Sequence, residues 1–148
     1  MALDEAARKL SAIPLFANLE PSRLKLLAFT SDRLSFSDGE EVCHQGDPAD
    51  SAYFLESGAV DIVIGEGEAR TKVAELHAGD LFGEMALFLH SGRSATVIAH
   101  GDLTVMKIDG DMFLKIVTEN PDAALGVMKA LSEKIVATSE KVAAASKG

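Results

Sequence analysis

Residues 42–64 read VCHQGDPADSAYFLESGAVDIVI. The runs VCH, AYFLE and VDIVI are short and rich in apolar, aromatic or β-branched residues. They are set apart by QGDPAD and ESGA, whose Gly, Asp, Pro and Ser supply the positive backbone angles and local side-chain hydrogen bonds that turns require. Such runs read as strands. Val60, Ile62 and Ile64 alternate as one buried sheet face demands.

The same grammar extends from 34 to 108. RLSF, TKVAEL, SATVIAH and LTVMKI add further runs, and SDGE, GEGEAR, HAGD and HGD add further turn signals. Ala95, Val97 and Ala99 repeat the alternation. Many short, closely spaced strands predict a two-sheet interior, whether sandwich, jelly roll or barrel. Outside this block the spacing is helical. Leu3, Ala6, Ala7 and Leu10 predict a helix over 3–12, and EPSRLKLLAFTS places a proline at the start of a second helix carrying Leu24, Leu27 and Ala28. GDMFLKIVTE predicts another helix, and Asn120 with Pro121 marks the cap and first turn of a long one running to about 145. Met128, Leu131, Ile135, Thr138 and Val142 form a seam along it that suits packing on the domain's own surface, a lid, or a dimer.

A chain of 148 residues is long enough for one domain with a real core. With 47% apolar and 25% charged residues it reads as a soluble globular protein, expected in the cytosol, with no apolar run near the roughly 18 residues of a spanning helix. A net charge of −9 opposes binding to nucleic-acid backbones. The lone Cys43 permits no internal disulfide and reads as a half-buried strand residue.

The chemistry concentrates in residues 82–97, FGEMALFLHSGRSATV. A strand-like start, a glycine, then Glu84 and good helix formers predict one helical turn. Its first N–H groups lack intrahelical partners and favour an anion. Gly83 lets a ligand approach the backbone closely. Arg93 follows at the start of another strand, and its planar guanidinium suits a phosphodiester better than an ammonium does. Taken singly, Glu84 reads equally as a helix-start acid and Arg93 as a paired surface cation.

Together these residues resemble the phosphate-binding cassette of the cyclic nucleotide-binding domain family, and the resemblance extends over nearly the whole chain. IPLFANLEPSRLKLLA is similar to that family's N-terminal helical bundle, and VCHQGDPADSAYFLESGAV to its glycine-spaced strands, although Ala52 stands where a larger apolar residue is usual. The resemblance implies an eight-stranded antiparallel jelly roll with flanking helices. It implies N-terminal helices over 1–32, the β region over 33–109 and hinge and lid helices over 110–145, all in a single domain. It also implies that Glu84 accepts from the ribose 2′-hydroxyl with help from the Gly83 N–H, and that Arg93 pairs with the cyclic phosphate. The N–H groups of Ala86 and Ser94 would complete the phosphate cage, and the Ser94 hydroxyl would reach phosphate or base. A threonine after the arginine often accompanies cyclic GMP in the family. Ser94 favours cyclic AMP, with cyclic GMP the alternative.

Other readings meet the same residues. A cupin-type metal enzyme needs converging histidines, yet His44, His77, His90 and His100 are scattered singly and form no His-x-His pair. No nucleophile and base stand at suitable spacing, so the expectation is a non-enzyme without metal or cofactor. A degenerate domain acting only through protein contacts would lack Glu84 or Arg93, and both are present. The partner expected is a small cyclic nucleotide, with a homodimer or an effector protein engaged through the C-terminal helix.

Overall fold

The computed structural model describes residues 2–13, 16–17, 19–122, 124–126, 128–129 and 132. Helices α1 (Ala2–Ser11) and α2 (Pro21–Phe29) precede strands β1 (Asp32–Phe36), β2 (Glu41–Cys43), β3 (Ser51–Ile64), β4 (Thr71–His77) and β5 (Leu81–Phe82). Helix α3 (Glu84–Leu89), strand β6 (Thr96–Asp109) and helix α4 (Gly110–Glu119) follow. Helical backbone resumes at 121–122 and recurs at 124–126, 128–129 and 132. The expected course of that last helix to 145, and with it Leu131, Ile135, Thr138 and Val142 of its seam, lies outside the described residues.

The strands form one antiparallel sheet in the order β1-β6-β3-β4, with β2 also on β6 and β5 also on β3. Six strands therefore stand among the described residues where eight were expected. The difference arises at two glycines. AYFLE and VDIVI join into the 14-residue β3 through Gly58, and SATVIAH and LTVMKI join into the 14-residue β6 through Gly101. Both glycines have positive φ, +92° and +77°. The β3–β6 register slips between Leu55 and Ser57 and again between Ser57 and Ala59. A positive-φ glycine bends a strand at a bulge as readily as it turns a chain, so ESGA and HGD mark bends inside strands. Close approach adds a second reason at Gly58, because a Cβ there would meet the Asp102 carbonyl at 2.5 Å. Besides pairing with each other, the long strands each serve two more ladders: β6 carries β2 on its first half and β1 on its second, and β3 carries β5 and then β4.

Two apolar clusters hold this frame. One lies within the bent sheet around Leu55, Val60, Val97 and Val105, and the other joins the helices to the sheet through Leu10, Phe16, Leu27, Ile108, Phe113 and Ile116. Phe113 of α4 is fully buried and meets Phe16 edge-on at 5.7 Å and Phe88 at 5.5 Å. Burying a side chain of this size contributes about 1.5–3 kcal/mol, so α4 is anchored by packing as well as by its cap. The Asp109 carboxylate accepts from the Met112 N–H at 3.0 Å. Helix α2 buries Leu24, Leu27 and Ala28 behind its initial proline, as its spacing predicts. Across the helix–sheet seam, Glu56 accepts two bonds from Arg33 and one from Lys9, each 3.0 Å long.

Candidate functional site

Strand β5 ends at Phe82, which pairs with Tyr53 of β3 and stacks on its ring at 5.1 Å between centroids and 14° between planes. The chain then turns at Gly83, which caps α3 in the left-handed region. Glu84, the first residue of α3, is 4% exposed, and Ala86 is 7% exposed. The N–H groups of residues 84–86 occupy the first helical positions, where no intrahelical carbonyl is available.

Arg93 enters this corner from beyond α3. It lies before β6 rather than at the strand's start, which is Thr96. Its backbone is clamped by the loop before β3: its N–H donates to the Asp47 carbonyl and its carbonyl accepts from the Gly46 N–H, both at 2.8 Å. Arg93 is buried, 6% exposed. Nη1 donates to the Gly83 carbonyl and Nη2 to the Ser51 carbonyl, each at 2.8 Å. The Tyr53 ring lies beneath, its centroid 5.4 Å from Cζ, at a distance where an aromatic face attracts a cation. A guanidinium has five N–H donors, so these bonds fix its plane and leave donors for an anion.

Gly83, Glu84, Ala86, Arg93 and Ser94 all line one cavity of about 310 Å³. That volume is at the lower end of small-ligand pockets, about 300–1,000 Å³. Ser94 is exposed at the rim. Ile62 of β3 and Val73, Ala74 and Leu76 of β4 supply an apolar wall. Cys43 also faces the cavity. Burial pushes its thiol pKa up and the nearby Arg93 charge pulls it partly back, so the protonated thiol serves as wall. The arrangement joins a fixed cation and helix-start N–H donors to a carboxylate and an apolar surface. That combination suits a small amphiphilic anion carrying hydroxyl groups.

Two contributors escape a reading of 82–97 alone. Ser51 and Tyr53 hold Arg93 from β3, about forty residues earlier in the chain. The one sequence signal for them is the aromatic pair Tyr53 and Phe82 on strands that prove to be neighbours.

The cyclic nucleotide-binding domain family matches residues 33–120, which include every residue of the cavity wall. The cAMP-dependent protein kinase regulatory subunit of Mucor circinelloides f. lusitanicus is 35% identical over 107 residues, covering 72% of this chain and 25% of that protein. Among solved structures, the sensor domain of the transcriptional regulator DNR from Pseudomonas aeruginosa superposes with TM-score 0.83 at 25% identity, covering 90% of this chain and 91% of that one. The regulatory domain of Toxoplasma gondii PKA, co-crystallised with cAMP, superposes with TM-score 0.77 at 26% identity over 88% of this chain and 50% of that one. The chain spans about a quarter of the length of the kinase regulatory subunits it matches. These relatives are regulatory subunits and a sensor domain, and residues 33–120 match their non-catalytic cyclic nucleotide-binding domain. A guanidinium cage beside a short helix, on a bent antiparallel sheet flanked by helices, thus agrees with the sequence match, and the chain belongs to the cyclic nucleotide-binding domain family.

Proposed function

We propose that this chain acts in the cytosol as one sensor domain that binds a cyclic nucleotide, cyclic AMP in preference to cyclic GMP, and signals through its C-terminal helices. The observation that carries the reading is the buried Arg93 guanidinium, locked by the carbonyls of Gly83 and Ser51 beside the start of α3. Arg93 neutralises the cyclic phosphate, and the N–H groups of Ala86 and Ser94 donate to it. Glu84 accepts from the ribose 2′-hydroxyl beside the Gly83 N–H, and the apolar wall covers the base.

A route to α4 follows from two consecutive carbonyls. Ser51 O accepts from Arg93, while Asp50 O accepts from the Gly110 N–H at the first residue of α4, 2.9 Å away. A phosphate that draws the guanidinium forward therefore pulls on the peptide to which α4 is tied. A shift in population can be no larger than the ligand's differential affinity for the two arrangements. An effector protein or a second copy, engaged through the helix after Pro121, is the proposed recipient.

Thermal unfolding of the purified chain with cyclic AMP, cyclic GMP and linear AMP tests this. Ligand bound to the native state raises the midpoint as RT ln(1 + [L]/Kd). The expected order of shifts is cyclic AMP, then cyclic GMP, then linear AMP. No shift with either cyclic nucleotide at about 1 mM would leave the family's ligand-free, protein-contact reading in its place.

A further inference from the structure

On the outer face of the sheet, behind the cavity wall, four side chains that are dispersed in sequence come together. Asp61 and Ala59 of β3 stand directly opposite Glu75 and His77 of β4, and Ala59 also stands opposite His100 of β6. Directly opposed residues of an antiparallel pair project to the same face. Asp61, Glu75, His77 and His100 therefore share one surface, with the small Ala59 between the two imidazoles. Ile62, Ala74 and Leu76, their chain neighbours, face the cavity instead.

His100 Nδ1 lies 3.2 Å from Asp61 Oδ1 and 4.0 Å from Glu75 Oε1, and His77 Nε2 lies 3.7 Å from the same Glu75 oxygen. One ligand atom each from Asp61, Glu75 and His100 falls within 4.8 Å of the others. Tetrahedral Zn2+ with bonds near 2.0–2.2 Å sets its ligand atoms about 3.3–3.6 Å apart, so side-chain shifts of about 1.5 Å or less would close the set. Two opposed carboxylates repel each other across a sheet, and the Lys72 ammonium stands 3.0 Å from Asp61 and 3.4 Å from Glu75. A cation at this position is already what the carboxylates accept.

We propose that Asp61, Glu75 and His100 form a site for a divalent transition-metal ion. Mixed imidazole and carboxylate donors match Zn2+, and Ni2+ or Cu2+ less selectively, whereas Mg2+ and Ca2+ take oxygen donors. The ion would cross-link β3, β4 and β6 on the reverse side of the wall that lines the cavity. The site is independent of the nucleotide reading, since none of its three ligands lines that cavity.

Calorimetric titration of the chelator-treated chain with Zn2+ at neutral pH tests it. One saturable site in the micromolar range is expected, weakened about 10-fold or more by His100→Ala and by Asp61→Asn. Lys72→Ala, which removes the competing ammonium, tightens it. His44→Ala is the control: its ring nitrogens contact Glu41 and Glu66 on opposite sides and converge on no common point, so binding is retained. Circular dichroism of the metal-free variants checks that these substitutions leave the fold intact. Zn2+ should also raise the thermal midpoint of the wild-type chain and not that of His100→Ala. Absence of saturable binding at about 1 mM Zn2+, or an equal loss in His44→Ala, overturns the proposal.

Discussion

Gly83→Ala probes the arginine cage directly. Gly83 has φ +82°, and a Cβ there would lie 2.6 Å from Arg93 Nη1 and 3.4 Å from Tyr53 Cδ2. Two costs arise, and they fall on different measurements. The left-handed backbone costs an L-residue about 1–2 kcal/mol of folding stability. Displacing the guanidinium breaks the 2.8 Å bond to the Gly83 carbonyl, and a hydrogen bond to a charged group contributes about 1.5–3 kcal/mol. On the proposed function that second loss falls on ligand capture, because the bond sets the plane in which the guanidinium would meet the phosphate. Gly79→Ala separates the two: its φ is +98° and nothing lies within 4 Å of the added Cβ. Urea unfolding should show a backbone cost of similar size in both variants. Calorimetry with cyclic AMP should show Gly83→Ala weaker by about 10- to 150-fold and Gly79→Ala unchanged. If Gly83→Ala binds within about twofold of wild type, the cage plays no part in capture and Arg93 is not the phosphate partner.

Three further outcomes are expected. Arg93→Ala should weaken cyclic AMP binding by about 2–5 kcal/mol, and Arg93→Lys should restore little of it in the same titration, because an ammonium cannot span Gly83 O and Ser51 O as the fork does. Burial pushes the Glu56 carboxyl pKa up, but the bonds from Arg33 and Lys9 outweigh this and hold it below its ordinary value. The stability this gives is complete above the unfolded-state value and is lost as pH falls through the lower folded value, so thermal midpoints measured from pH 6 to pH 3 should fall less steeply in Glu56→Gln than in wild type. Gly110→Ala would set a Cβ 2.6 Å from Asp50 O and 2.8 Å from Leu87 Cδ2. It should lower the stability measured by urea unfolding by about 1–3 kcal/mol.

What the sequence discloses about this fold depends on whether a residue's signal is local. Helix α2 is legible because Pro21 and the spacing of Leu24, Leu27 and Ala28 act within one helix. Gly83, Glu84 and α3 are legible for the same reason. Strand number is not, because a glycine at φ near +90° serves a turn at Gly39 and a bend within β3 at Gly58, and nothing local distinguishes the two. The supports of Arg93 are hidden more deeply. Ser51 and Tyr53 acquire their roles from the register that sets Tyr53 against Phe82 and from the loop 46–50 that clamps Arg93. His77 and His100 read as isolated surface residues until the β4-β3-β6 register places both beside Ala59.

The cavity itself divides affinity from base choice. At one end Arg93, Glu84 and the α3 N–H groups offer charge and directional bonds, which suit a ribose and a cyclic phosphate and are the same for any base. At the other, Ile62, Val73, Ala74 and Leu76 offer apolar area, which rewards any purine ring for leaving water and reads none of its edges. Ser94, which carries a hydroxyl, also lines the cavity. Rejection of a competing base requires polar groups that the wrong base leaves unpaired. A wall of aliphatic side chains cannot supply them, so on the proposed function a preference for adenine over guanine would have to rest on Ser94 and on whatever covers the open side of the cavity. The two properties should separate under mutation: changes at Arg93 or Gly83 should weaken both nucleotides together, whereas changes at Ser94 should alter their ratio.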